Sequence, residues 1–339
     1  MNLVSVQECR SAALVVLEHA GVPAAAAALQ ADLLIEAELR AVPSHGLLRL
    51  ERIIHRIGNG VASATATGAH EWRGDGFLAV DGQDGLGPVV AVSALKAIAA
   101  RAKRTGIAVA AISRSNHIGM LAYYAEAIAL GGQVGIVLST SEALVHPYGG
   151  RQALLGTNPI AIGVPNGERP FVIDLATSLV SMGEIHDRAH RGQALPEGWA
   201  LDEHGDATTD ANAAKNGAIA PFGQAKGYAL GLAFELLVTA LTGAALGRDV
   251  MGTLDADRKA NKGDVLIVID PLSGQGAAIS AYLDAIRSAE PAAGFDQVLI
   301  PGERGRALKE QRLKDGLPLA ESVWTRLRQM RDDVKGLQT

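Results

Sequence analysis

Cysteine is almost missing: the 339 residues contain one, Cys9. One thiol cannot close an intrachain disulfide or build a cysteine zinc site, so a disulfide-stapled secreted scaffold is excluded and a reducing, cytoplasmic setting is expected. An excess of basic charge is missing too. The 31 Lys and Arg stand against 36 Asp and Glu, a formal net charge of -5. A sequence-independent grip on nucleic acid needs a concentrated basic surface, so no nucleic-acid partner is expected. The opening MNLVSVQECRSAAL has no basic stretch followed by an apolar one, hence no signal peptide is read. One hydrophobic run is long, residues 227–247, and Glu235 interrupts it. A charge there is costly in lipid, so the run is read as a helix of the core or of a subunit interface rather than a membrane span.

Nucleotide signatures are absent as well. No G-x-G-x-x-G follows a strand: Gly58-Asn59-Gly60 follows a helical pattern with Ser63 in the third glycine's place, and Gly85-Leu86-Gly87 runs into Pro88. Both read as helix punctuation. P-loop, kinase and H-E-x-x-H patterns are missing. His186, Asp187 and His190 share a helical spacing, but nothing nearby completes a ligand set, and no metal is expected.

What is present is an ordinary globular chain, 48% hydrophobic and 20% charged, long enough for two or three domains. Ser5 and Glu8 form a capping box, a second helix spans about Pro23 to Arg40, and a third is predicted from Ser44, as N-cap, to Gly58. Cys9 falls in the first of these and reads as a buried thiol. Short apolar strands follow at FLAVDG, IAVAAIS, QVGIVLSTS, PIAIGVP, PFVIDLATS, GDVLIVIDP and QVLIPGE, with helices from Pro88 to Arg104, across HIGMLAYYAEAIAL and across ISAYLDAIRSA. The tail after Arg304 is helical and charged. The fold class is α/β or α+β. The domains expected are a helical one from residues 1–75 with 305–339, and a cofactor- and substrate-binding one over 76–304.

Chemistry is suggested first by Ser44-His45-Gly46 with Arg49. In the first turn of a helix, His45 and Arg49 would project from one face, and the helix terminus would disfavour an imidazolium. Arginine offers a bidentate fork for a carboxylate. A proton-transferring group beside a carboxylate clamp is what a 2-oxo acid reductase needs. The stretch Ser113 to Gly119 joins a strand to a helix, where backbone N–H groups can receive phosphate. Pro147-Tyr148-Gly149-Gly150 and Gly156-Thr157-Asn158-Pro159 have the texture of ligand loops.

Taken in order, S-H-G-L-L-R-L, S-N-H-I-G-M, P-Y-G-G-R, G-T-N-P-I-A-I, I-D-L-A-T-S, L-P-E-G-W-A-L-D, P-F-G-Q-A-K-G-Y and I-P-G-E-R resemble the malate/L-lactate dehydrogenase family of the non-Rossmann type, across about residues 5 to 330. The resemblance implies an NAD(P)-binding domain with a largely antiparallel sheet, a homodimer, and NAD(H) or NADP(H) as cofactor. It implies His45 as proton donor, Ser44 in its relay, and Arg49 with Thr157 at the substrate. His117, Ile118, Gly119, Ser141, Asp174, Leu175, Ala176, Lys226, Gly302 and Glu303 fall where the family contacts its cofactor. In some members the His117 position is the proton acceptor, and a relay aspartate is expected near Asp187. Small 2-oxo/2-hydroxy acids of the malate, lactate or sulfolactate type are the substrates implied. A cyclic imine reductase and a catalytically inactive binding protein on the same fold are the alternatives.

Overall fold

The computed structural model describes residues 2–271 and 276–336. Strand β1 (Asn2–Val4) leads into α1 (Val6–His19), whose start is fixed by Ser5: its side-chain oxygen accepts the N–H of Glu8 at 3.1 Å. Such a cap contributes about 1 kcal/mol. Helix α2 (Ala24–Leu39) follows, then two 3-10 turns and the short α3 (Leu50–Gly58).

The central sheet begins with β2 (Ala69–Trp72) and β3 (Phe77–Asp81). Helix α4 (Gly87–Thr105), with Pro88 in its first turn and left-handed Gly106 at its end, carries the chain to β4 (Ile107–Ser113). Then come α5 (Ala122–Leu130), β5 (Val134–Ser139), β6 (Ile160–Val164) and β7 (Phe171–Leu175). A small excursion holds α6 (Met182–His190), β8 (Ala200–Leu201), β9 (Ala207–Thr208), α7 (Ala211–Ala214) and β10 (Ala218–Ile219). Helix α8 (Ala225–Thr242) and β11 (Asp264–Ile269) return to the sheet. The chain finishes with α9 (Gly276–Arg287), α10 (Glu303–Asp315), β12 (Leu317–Leu319) and α11 (Glu321–Gly336).

Strand order is β2-β3-β4-β11-β5-β6-β7. Only β3 and β4, the two joined through α4, run parallel; the other neighbours are antiparallel. Helices α4 and α5 cover one face, burying Leu78, Ile98, Ile112, Tyr124 and Leu266. Helix α8 covers the other around Val238, Leu138 and Val265. A separate core joins α1, α2 and α11 through Leu17, Ile35, Leu47 and Trp324, with β1 paired to β12 beside it. The two ends of the chain therefore share one hydrophobic layer.

Two expectations for this architecture change. QVLIPGE is not a strand: residues 297–300 have no ladder partner among the described residues, and the Glu303 carboxylate takes the N–H of Ile300 at 2.9 Å. Helix α5 starts at Ala122 rather than at His117, because residues 114–121 cross the end of the sheet as a loop.

Candidate active site

The helix expected from Ser44 to Gly58 does not form in one piece. Pro43–His45 and Leu47–Arg49 are two separate 3-10 turns, and Ser44 caps neither. The cause is Glu38, 5% exposed on α2, whose Oε1 accepts the N–H of Leu47 at 2.8 Å. A Cβ on Gly46 would stand 2.1 Å from that oxygen, so a larger residue there would have to displace the Glu38 carboxyl. His45 and Arg49 thus do not share a helix face. They end successive turns and line one pocket all the same, with Arg52, Arg56, Asn116 and His117.

The opposite wall is the loop 114–121. Asn116 donates through Nδ2 to the carbonyls of Asp84 (2.6 Å) and Gly85 (2.9 Å), and its Oδ1 accepts from Arg56 Nε at 2.8 Å. The Gly85-Leu86-Gly87 turn, read from sequence as helix punctuation, is the bed of this loop. A Cβ at Gly87 would lie 2.3 Å from the His117 carbonyl oxygen.

The rings of His45 and His117 face each other with centroids 5.2 Å apart. Ser44 Oγ is 3.0 Å from His45 Nδ1. His117 Nδ1 accepts the N–H of Gly119 at 3.0 Å, so the neutral ring carries its proton on Nε2. Burial, and then the charge of Arg49, push His45 down to about 4. His117 lies well below its ordinary value for the same first cause, with Arg49, His45 and Lys262 adding to it. Desolvation and a neighbouring guanidinium replace the helix terminus as the reason the imidazoles stay neutral. Arg49 donates through Nε to the Ser44 carbonyl at 2.7 Å; burial and Arg52 lower it to about 10, still charged at neutral pH.

Asp187 is not brought to either histidine. It pairs with Arg191 at 3.0 Å on the surface of α6, with 44% of its side chain exposed. The part of α6 that reaches the site is its start, where a Cβ on Gly183 would lie 3.4 Å from Ser44 Cβ. Among the described residues no cluster of three metal-ligating side chains exists.

The residues that the resemblance assigned to the cofactor fall into three places. Ile118 and Gly119 belong to the histidine loop. Ser141 and Thr157 join through their hydroxyls at 3.1 Å, and Thr157 is tied to the segment after β7 by the Thr177 N–H at 2.8 Å. That segment follows Asp174, Leu175 and Ala176 and pairs, at Ser178, with Pro221, just ahead of Lys226 on the exposed first turn of α8. Gly302 and Glu303 open α10 against the other end of β7, where a Cβ on Gly302 would meet the Val172 carbonyl at 2.5 Å. Phosphate at the start of α5 is not supported, since Asp174 Oδ2 already takes the Ala122 N–H at 2.8 Å.

A dinucleotide carries hydroxyl, amide and phosphate groups, and the region offers matching unspent groups. Among the described residues, Ser178 Oγ and Asn158 Oδ1 are buried without hydrogen-bond partners. The Gly156–Asn158 turn beside them is held by Glu235, whose carboxylate accepts from Gly156 N (3.2 Å), Asn158 Nδ2 (2.6 Å) and Gly247 N (2.5 Å). This explains a charge in the middle of an apolar helix: it organises a loop. Helix α8 is long and apolar enough to cross a membrane by length and composition. It turns Gly231, Glu235 and Val238 inward and leaves Leu230, Leu236 and Leu237 exposed. Sequence reasoning missed Arg52 and Arg56 and gave Asn116 no role beyond its place in the Ser113 to Gly119 loop. The first two stand three and seven residues after Arg49, a helical stripe visible in R-L-E-R-I-I-H-R.

A profile of the malate/L-lactate dehydrogenase family matches residues 4–328. A malate/(S)-sulfolactate dehydrogenase of Methanothermus fervidus is 34% identical over 337 residues, 98% of each chain. A delta(1)-pyrroline-2-carboxylate/delta(1)-piperideine-2-carboxylate reductase of Pseudomonas aeruginosa is 33% identical over 325 residues, 95% of this chain and 97% of its own. A solved dehydrogenase structure from Sinorhizobium meliloti superposes with a TM-score of 0.94 at 53% identity, over 97% of this chain and 98% of that one.

Proposed function

The chain belongs to the malate/L-lactate dehydrogenase family, and from that premise we propose that the pocket of His45, His117 and Arg49 is where an NAD(P)-dependent oxidoreductase interconverts small 2-oxo and 2-hydroxy acids. When bound, the cofactor supplies or takes up a hydride at C2 of the substrate. The protein's own residues do the rest.

Arg49 holds the C1 carboxylate. Its Nε is spent on the Ser44 carbonyl, which aims the remaining fork. Between the two histidines, the proton role goes to His45. A group that gives up a proton and regains it needs a path at its other nitrogen, and the Ser44 hydroxyl stands at Nδ1. His117 lacks that path, because its Nδ1 is occupied by a backbone N–H that cannot deliver a proton. Its Nε2–H instead donates a hydrogen bond to the substrate oxygen. The observation that carries this reading is the convergence of both imidazoles and the guanidinium on one pocket. The Leu33 and Leu34 side chains on its wall keep water from the reacting atoms.

The exposed leucines of α8 support a homodimer, as the fold's most apolar uncovered helix. A cytoplasmic enzyme without nucleic-acid or membrane partners fits the composition. The test is a panel of 2-oxo acids and cyclic imines, each with NADH and NADPH, following loss of reduced cofactor. Turnover of 2-oxo acids is the expected result. Consumption with imines alone would overturn the hydroxy-acid reading, and none with any substrate would leave only a binding protein.

A further inference from the structure

Residues 251–261 form a loop whose two ends are joined. The Met251 N–H donates to Asn261 Oδ1 at 2.8 Å, and the Asn261 N–H returns to the Met251 carbonyl at 3.3 Å. A loop closed at its base moves as one compact unit. Its limbs touch: Gly252 has a φ of +84°, and a Cβ there would lie 2.6 Å from Ala260 N and Cα. Gly252 and Thr253 line the pocket beside the histidines and arginines. The far limb leans on α3, where Arg56 Nη1 donates to the Asp255 carbonyl at 2.8 Å and Asn59 Nδ2 to the Ala256 carbonyl at 3.0 Å. Lys259 pairs with Asp84 at 2.6 Å.

The near limb is held by Glu142, just beyond β5. Its Oε1 accepts from Thr253 N (2.7 Å), Thr253 Oγ1 (3.0 Å) and Leu254 N (2.8 Å). Three donors on one carboxylate oxygen make a charge-assisted anchor. Glu142 follows Ser141, whose hydroxyl meets that of Thr157 at 3.1 Å. A polar chain therefore runs from Glu142 through Thr253 and Leu254 to the Asp255 carbonyl, on to Arg56, and from its Nε to Asn116, the neighbour of His117. Arg56 is 4% exposed, and the loop supplies the acceptor at its Nη1. Burial lowers Arg49 and Arg56, and the Glu142 charge opposes that in both.

We propose that Glu142 is a positioning residue for the reaction: by latching Thr253 and Leu254 it seats the loop 251–261 against α3, and so fixes the pocket wall, Arg56 and, through Asn116, the loop that carries His117. This rests on the reading of the pocket as the substrate site. Glu142 is not among the residues that line that pocket, so it acts through the loop. Groups that meet a substrate keep their geometry only when the shell behind them is itself bonded. Here that shell is one carboxylate oxygen and a backbone carbonyl two residues beyond Thr253.

The experiment uses the full-length protein. Steady-state reduction of pyruvate and of oxaloacetate gives kcat and KM, calorimetric titration with racemic malate reads the pocket without turnover, and amide hydrogen exchange over residues 251–256 reads the loop. Glu142→Ala should raise KM for either acid and weaken malate binding by roughly 10–100-fold, the worth of bonds to a charged group, while NADH affinity holds. Exchange of the Thr253 and Leu254 amides should rise roughly tenfold. Glu142→Gln keeps an acceptor oxygen without the charge and should recover most of each loss. Glu142→Ala combined with Arg56→Lys should cost less than the two single losses together, because both break one chain. Faster exchange or a lower melting temperature with KM and malate affinity unmoved would overturn the proposal and make Glu142 a structural tie. Glu142→Gln matching Glu142→Ala would overturn it too, assigning the effect to charge, and so would additive losses in the double variant. A wild type that binds malate but reduces neither acid would sink the enzymatic reading alone, and the malate affinities of the variants would then decide the role of Glu142.

Discussion

His45 and His117 hold their rings 5.2 Å apart, centroid to centroid, at an interplanar angle of 37°. Their second nitrogens differ in kind: one meets a hydroxyl, the other a backbone N–H. That asymmetry separates their work. His45→Asn should leave cofactor binding intact and lower kcat by roughly 10²–10⁴, the usual worth of a general acid. His117→Asn keeps a donor and should lose about tenfold, a single hydrogen bond's worth. The opposite ranking would transfer the proton role to His117.

Oxidation of the hydroxy acid needs His45 neutral, and its value near 4 keeps it so across most of the pH range. The pH profile of kcat/KM for oxidation reports the free enzyme. It should stay level as pH falls past the ordinary histidine value and drop only around 4. A midpoint at the ordinary value of 6.5 would show that burial and Arg49 do not control this ring.

Arg49→Lys should act mainly on KM. A lysine replaces a fork with a point charge and loses the Nε bond that aims it at Ser44. An increase of roughly 10–100-fold with little change in kcat is expected. A fall confined to kcat would make Arg49 a transition-state group instead of a clamp.

Lys226 stands exposed on the first turn of α8, next to the Thr177 to Pro221 segment. Lys226→Ala should weaken NADH and NADPH binding about tenfold, one lost ionic contact, with the melting temperature unmoved. Fluorescence titration giving the wild-type affinity would remove it from the cofactor site.

Glu38 is held up to about 7 by burial, opposed by its bond from Leu47 and by Arg312. The unfolded value is near 4.5, so the native state binds the extra proton between the two. Its contribution to stability is full below the lower value and is lost as pH rises through about 7. Glu38→Gln keeps an acceptor for Leu47 and removes the ionisation. In urea unfolding it should gain on the order of 3 kcal/mol over the wild type at about pH 8.5 and nothing at about pH 4. Equal gains at both would point to packing.

Six of the seven strands of the central sheet were legible as short apolar runs bounded by turn residues; β2, A-H-E-W, is polar and exposed and carries no such signal. The failures have local causes. Ser44 to Gly58 reads as one helix because the sequence cannot show that Glu38, on another helix, will take the Leu47 N–H. QVLIPGE has a strand's composition but no neighbour to pair with among the described residues. Strand β1 is three residues long and exists through β12, far away in sequence. At the site, His45 and Arg49 came from residue type and spacing and His117 from the resemblance, and all three line one pocket. Asp187 did not follow, and the Arg52 and Arg56 stripe was visible but had no pocket to belong to until the loop 114–121 was placed.

The pairing of Val4 with Leu317 and of Leu3 with Pro318 has a consequence for the order in which the molecule is made. During synthesis α1 and α2 leave the ribosome early, with Leu17, Ile35 and Leu47 awaiting Trp324 and Leu327 from α11. At roughly 5–20 residues per second that wait lasts roughly 15–60 s. The segment carrying His45 and Arg49 lies in the layer that closes last, so the active site matures only when the final helix docks. Until then the nascent chain displays the apolar faces of α1 and α2 that α11 covers in the folded molecule.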